Sequence, residues 1–267
     1  MSEVIDVQFW LSEQARLYAL ILLCALLWTL ESVVPLYRYG RQRLPHVLPN
    51  IILALFLVLT NLALSAGTAG LAVFAERHEI GLFRLLGFLP LMTLVFGVAA
   101  LDFFGYWAHR LLHQSWLGWQ FHRVHHSEAA VDVTTAFRQH PGETGWRILW
   151  QLGAVVLFGL PLWVVAVYLT LSGLNAQLEH ANVRLSDRVD RLLRLIVVTP
   201  NMHKAHHSRI RRETDTNYSN IFSFWDRLCG TYTPRIDFAR LRYGLDGFDD
   251  ARRQSLRGLL TMPFVRF

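Results

Sequence analysis

Nine of the twelve histidines form three tight clusters plus one isolated residue, beside stretches apolar enough to enter a lipid bilayer. The first cluster reads His109-Arg-Leu-Leu-His113, and the second follows as His122-Arg-Val-His125-His126. A near copy, His203-Lys-Ala-His206-His207, returns 81 residues later, with His180 upstream of it. Imidazole is the commonest biological metal ligand and titrates nearest neutral pH. Histidines packed at this spacing point to metal, so the fold must carry all three clusters to one place. The pattern asks for a membrane-embedded, multi-metal, all-nitrogen site.

Three apolar spans precede or carry the first box: 17–36, interrupted only by Glu31, then about 51–74, then about 82–107. Each reaches the roughly 20 helical residues needed to cross a hydrocarbon core. Hydrophobic residues make up 53% of the chain and charged ones 17%, against about 25% charged in a soluble domain. The net charge of +6 is concentrated late in the chain, with no basic stripe interleaved with exposed aromatics. That pattern fits a cytoplasmic face obeying the positive-inside rule, not a nucleic-acid surface. Arg38, Arg41 and Arg43 follow the first span, while Glu3, Asp6 and Glu13 precede it. These charges place the amino terminus outside and bring the third span back to deliver the 109–126 boxes on the cytoplasmic side. Cys24 and Cys229 provide neither a disulfide framework nor a CxxC site, and no signal peptide is apparent.

The 203–207 box must reach the same site, so an odd number of crossings between the boxes is forbidden. The apolar block 148–178 lies between them and is broken at Gly159-Leu160-Pro161. Its 31 residues are too few for two full crossings. The expectation is a helical hairpin that enters the bilayer partway and turns at the proline. A long helix lying partly outside the bilayer is the other solution. The fold class is therefore an all-α integral membrane protein, with about three transmembrane helices, a partly inserted hairpin and a cytoplasmic histidine-rich helical cap. We divide it into 1–94 (transmembrane helices), 95–235 (histidine-box domain) and 236–267 (basic tail).

Residues four apart share a helix face, so His109 and His113 project together, with Tyr106 and Asp102 one and two turns back. This stripe reads as two ligands with a carboxylate behind them, or as an ordinary helix end whose Trp107, Trp116 and Trp119 sit at headgroup level. The two HxxHH boxes favour the first reading. Nine histidines overfill one zinc site but suit two metals at four or five ligands each. No HExxH occurs to supply a protease's general base. Imidazole suits Fe, Cu, Ni and Zn alike. His46 and His78 read as surface residues in loops between spans, and Glu31 as either a functional group or an interfacial one.

The ordered boxes, with Asp215-Thr-Asn-Tyr218 and Phe224-Trp225-Asp226-Arg-Leu-Cys-Gly230-Thr-Tyr232 after them, resemble the fatty acid hydroxylase/sterol desaturase superfamily over about residues 95–235. Arg138-Gln-His140-Pro-Gly-Glu143 is similar to that family's R-x-HP-x-E segment, and Glu179-His180 to its isolated third histidine. The resemblance implies a membrane non-haem di-iron oxygenase that uses O₂ and two electrons from a separate donor (a cytochrome, ferredoxin or similar). The reaction would hydroxylate or desaturate a lipid such as a fatty acyl chain, sterol, carotenoid or ether lipid. It assigns His109, His113, His122, His125, His126, His180, His203, His206 and His207 to two iron ions, replaceable by zinc. His140, Asp102, Tyr106, Glu143, Asn217 and Asp226 are candidates for a further ligand or for supporting the ligands, with a supporting or capping role the heavier reading for His140 and packing for Asn217, Tyr218 and Asp226. His180 has Ala176, not histidine, one turn before it, so one metal is left to a carboxylate, water or His140. Cys229 replaces a more usual Phe, a packing change. The expected location is a bacterial inner membrane. A zinc-dependent membrane lipid hydrolase and a metal transporter are the competing readings.

Overall fold

The computed structural model describes residues 13–40, 43–233 and 237–265; Glu3, Asp6 and Arg41, used above for orientation, lie outside them. The described residues are helical, with a single isolated bridge between Val197 and Phe222 and no strand. Helices α1 (Glu13–Val33), α2 (Arg43–Arg77) and α3 (Pro90–Gln114) are each long and apolar enough to cross a membrane. Much of their apolar surface faces outward: Leu22, Leu55, Leu62 and Leu91 are all exposed. In water such a surface would be costly, whereas in lipid it is solvated.

The boundaries differ from the apolar runs in instructive ways. The third run is interrupted after a short turn at Leu82–Leu85, where Gly87 adopts φ 65°, and α3 restarts with Pro90 in its first turn. It continues past Trp107 to Gln114, so His109 and His113 belong to the spanning helix itself. Helix α2 begins well before Ile51, which corrects the reading of His46 as a surface loop residue. His46 is buried on α2, with Nδ1 3.0 Å from Glu128 Oε2, and Asn50 one turn on donates to the same oxygen at 3.1 Å. Hydropathy missed this turn because its polar residues face protein, not water. His78 is exposed, as expected. Glu31 is buried and accepts from the backbone N–H groups of Val133 and Asn182, tying α1 to the chain near the boxes.

Helix α4 (Trp116–His126) follows α3 after Ser115, whose hydroxyl accepts from the Gly118 N–H as an N-cap. Helices α5 (Pro141–Phe158) and α6 (Leu162–His180) form the hairpin, turning at Gly159-Leu160-Pro161. The turn meets the connection between α2 and α3: a Cβ on Gly81 (φ 124°) would fall 2.2 Å from Gly159 Cα. Only glycine permits that approach and that φ. Val98 and Leu101 of α3 pack with Ala154, Val155, Leu160, Val164 and Tyr168 of the hairpin to form the main core. The hairpin thus lies along α3, with its turn at the end of the bundle away from His109 and His113. Helix α7 (Pro200–His206), capped by the Thr199 hydroxyl, brings in the last box.

Candidate metal centre

The three boxes converge at one end of the bundle, but they do not stay together as boxes. His109, His113, His122, His126 and His206 form one group, and His125, His180, His203 and His207 a second. Within each group the nearest ligand atoms all lie within 4.8 Å of one another, and every residue is buried. The groups are adjacent: the His126 and His207 rings stack at 4.8 Å. Helical geometry explains the split. In HxxHH the first and fifth residues share a face, and the fourth points about 100° away from the fifth. His122 and His126 therefore serve one group and His125 the other; His203 and His207 pair likewise, with His206 crossing over.

The imidazoles are fixed from behind. His109 Nδ1 donates to the Tyr218 carbonyl at 2.7 Å, His206 Nδ1 to that of Thr216 at 2.8 Å, His180 Nδ1 to that of Ala176 at 2.6 Å and His125 Nδ1 to that of Arg138 at 3.3 Å. A carbonyl only accepts, so these rings carry the proton on Nδ1 and a lone pair on Nε2. His125 and His180 then oppose lone pairs at 3.1 Å with no hydrogen between them. His113 Nε2 and His206 Nε2 are buried with no protein partner. Such an arrangement is favourable only around a cation. A proton is a poor one here: burial, reinforced by neighbouring imidazoles, holds His126, His203 and His207 well below the ordinary range, and burial holds His206 at about 4. The donor sets of five and four nitrogens fit two transition-metal ions.

The supporting candidates divide. Glu143 is fully buried with Oε1 3.0 Å from His122 Nδ1, and it also accepts from Arg147 Nε at 2.9 Å. Asp102 does not face imidazole. Its carboxylate accepts from the Ile221 and Phe222 N–H groups and from Trp225 Nε1, pinning the later chain to α3. Tyr106 meets Thr231 Oγ1 at 2.9 Å. Asp226 acts at one remove, accepting from the Tyr218 N–H at 2.8 Å and so steadying the carbonyl that holds His109. Asn217, at φ 55°, bonds to Met202 and Thr233. His140 lies outside both groups: its Nδ1 accepts from the Gly142 N–H and caps α5.

Two carboxylates were not singled out from sequence. Asp215 accepts from His113 Nδ1 at 3.2 Å, and buried Glu179 places Oε1 3.7 Å from His203 Nε2. Both stand inside motifs that sequence reading did identify. The carbonyls of Thr216 and Tyr218 carry no side-chain signal at all, so their role could not be read.

A sequence profile described as fatty acid hydroxylase matches residues 94–231. Ornithine lipid hydroxylase OlsE of Rhizobium tropici is 35% identical over 142 residues, covering 52% of this chain and 41% of that protein. Alkylglycerol monooxygenase of Xenopus tropicalis is 32% identical over 148 residues, 54% of this chain and 31% of that protein. A very-long-chain aldehyde decarbonylase of Oryza sativa subsp. indica is 28% identical over 170 residues, 60% of this chain and 26% of that protein. These matches span less than half the length of each relative. No solved structure matches the chain. The matched stretch contains every histidine of both groups and more than half of the sequence, so the chain belongs to the fatty acid hydroxylase family.

Proposed function

We propose that this protein is a membrane di-iron oxygenase that hydroxylates a lipid within the bilayer. The observation that carries the reading is the pair of adjacent buried histidine groups, whose opposed lone pairs require cations. Two iron ions, when bound, would supply the redox chemistry by which O₂, two electrons and two protons insert one oxygen atom into a C–H bond and release the other as water. The protein's own part is to hold and to exclude. His109, His113, His122, His126 and His206 would hold one ion, and His125, His180, His203 and His207 the other. Glu179, with Oε1 3.7 Å from His203 Nε2, would be the carboxylate available as a further ligand to the four-histidine ion. Asp215 and the four carbonyls of Tyr218, Thr216, Ala176 and Arg138 would fix tautomer and orientation, with the Glu143 charge beside His122, which raises ligand basicity. Burial of all nine rings keeps bulk water from the oxidising site.

Hydroxylation is favoured over desaturation because the relatives above are named as a hydroxylase and a monooxygenase. The substrate is a fatty acyl, sterol, carotenoid or ether lipid, and ornithine lipid and alkylglycerol are the first to test. On this reading 95–235 is the catalytic unit, 1–94 its membrane anchor and 236–267 a basic tail. The histidines face the cytoplasm of a bacterial inner membrane, and electrons come from a separate donor. A transporter would need ligands strung along its spans, whereas both groups sit at one end.

The test is anaerobic purification, metal analysis and Mössbauer spectroscopy, then turnover under ¹⁸O₂ with ornithine lipid and alkylglycerol. Two coupled irons per chain and one ¹⁸O atom in the product are expected. Tightly held zinc with no iron in cell-derived protein, together with hydrolysis products, would overturn the proposal.

A further inference from the structure

The imidazoles of both groups are buried, so an electron must reach them through protein. Trp119, at the middle of α4, is the half-buried ring that bridges them to the surface. Its centroid lies 5.2 Å from that of His113 and 5.5 Å from that of His126. Tyr218 also touches His113, at 5.0 Å, but is itself buried. Among the described residues, the aromatic rings in contact with the second group are all imidazoles. Trp119 therefore leads to the five-histidine group first.

The outer surface of Trp119 is cationic. The Arg211 guanidinium lies 4.7 Å over its ring, a cation–π contact, and its side chain is 58% exposed. Arg211 also donates to Asp215 Oδ2 at 2.6 Å and to the His113 carbonyl at 3.3 Å, while Asp215 holds His113 Nδ1. Arg212 beside it is exposed. On α3, Arg110 precedes His113 by one turn and lies over Trp107 at 5.0 Å. The nearby carboxylates are engaged: Asp215 with Arg211 and His113, and Glu213 with the Ser208 hydroxyl at 2.5 Å.

We propose that the face formed by Arg110, Trp119, Arg211 and Arg212 is the docking surface for an acidic one-electron carrier protein, and that Trp119 is its port to the five-histidine group. The proposal rests on the oxygenase reading and names its electron partner. Each docking oxidises one carrier by one electron, and two dockings reduce the metal pair by two; no atom is transferred. The carrier is identified by charge: basic surfaces steer acidic partners, and redox encounters use small, transient interfaces.

The experiment is anaerobic stopped-flow reduction of the full iron-loaded chain in nanodiscs, by dithionite and separately by a reduced acidic [2Fe–2S] ferredoxin. Dithionite reduction tests the oxygenase reading alone, because its failure in the unaltered protein means that no reducible metal pair is present. The ferredoxin rate should fall as salt rises, and the Arg110→Glu/Arg212→Glu pair should lower its second-order constant about tenfold, with a much smaller effect on reduction by dithionite, a small anion. Trp119→Leu should slow the limiting first-order rate with ferredoxin. Its effect on ferredoxin affinity for the zinc-loaded protein, measured by calorimetry, should be smaller than that of the Arg110→Glu/Arg212→Glu pair. Rates insensitive to charge reversal, rates that rise with salt, or no reduction by ferredoxin while dithionite succeeds would each overturn the proposal. So would charge reversal that alters only affinity for anionic vesicles, which would make the face a lipid contact.

Discussion

Replacing Glu143 by Gln tests whether the five-histidine group is tuned from behind. Glu143 is fully buried, and its Oε1 lies 3.0 Å from His122 Nδ1. The contact is one of charge and not an aligned hydrogen bond, and the carboxylate's charge favours the proton on Nδ1 and the lone pair on Nε2, the atom that faces the other ligands. Loss of such a partner typically lowers metal affinity 10- to 100-fold, about 1.4–2.7 kcal/mol. Glutamine keeps the volume and one acceptor but loses the charge, so the expected loss is near the lower end of that range. The comparison is Asp215→Asn, which weakens a carboxylate contact at His113, 3.2 Å away. Asp215 is 34% exposed, and solvent screening should hold its effect to less than about 1 kcal/mol. The assay is competitive chelator titration of the metal-free protein, resolving two binding steps, with circular dichroism to show that the fold is kept. Glu143→Gln should weaken one step only. Equal weakening of both steps, or a larger loss from Asp215→Asn, would refute the reasoning that burial and a single ring govern the effect.

Acid should destabilise the metal-free protein well before carboxylates titrate. His206 is held at about 4 by burial, below the unfolded value of roughly 6.5. The unfolded state therefore binds the extra proton first. Stability is full above pH ~6.5 and falls as pH drops toward 4, by about 3 kcal/mol from this one residue. A melting temperature unchanged between pH 7 and pH 5 would contradict this. Gly81→Ala should open the hairpin turn, because its Cβ would fall 2.2 Å from Gly159 Cα. Gly40→Ala, at φ 56° with open space, should cost only about 1 kcal/mol; similar melting shifts for both would refute the close-contact argument. His46→Leu removes one partner of Glu128 from a buried network that Asn50 and Arg138 still share, at about 1–3 kcal/mol, measured by thermal unfolding in detergent.

Much of the site was legible because its rules are local. Periodicity alone places His109 and His113 on one face, and the apolar runs marked α1 to α3 and the hairpin turn at Gly159-Leu160-Pro161. His46 was misplaced because its segment looks like a charged loop; burial came from Glu128, 82 residues away. Asp102 shares a helix face with His109, yet its carboxylate is taken by the backbone at Ile221 and Phe222. Spacing along one helix cannot say which distant segment competes for a group.

The sequence by itself determined that nine histidines would be presented at helix ends beside a membrane, and that each HxxHH box would point two residues one way and one another. Those follow from the helix repeat and from the cost of apolar surface in water. Only the tertiary structure decided that the α3 pair joins His122, His126 and His206, while His180 joins His125, His203 and His207. It also decided that main-chain carbonyls at Thr216 and Tyr218 set the tautomers. The physical reason is that a metal site is closed by rings from several helices, and their convergence depends on packing angles that no local pattern contains.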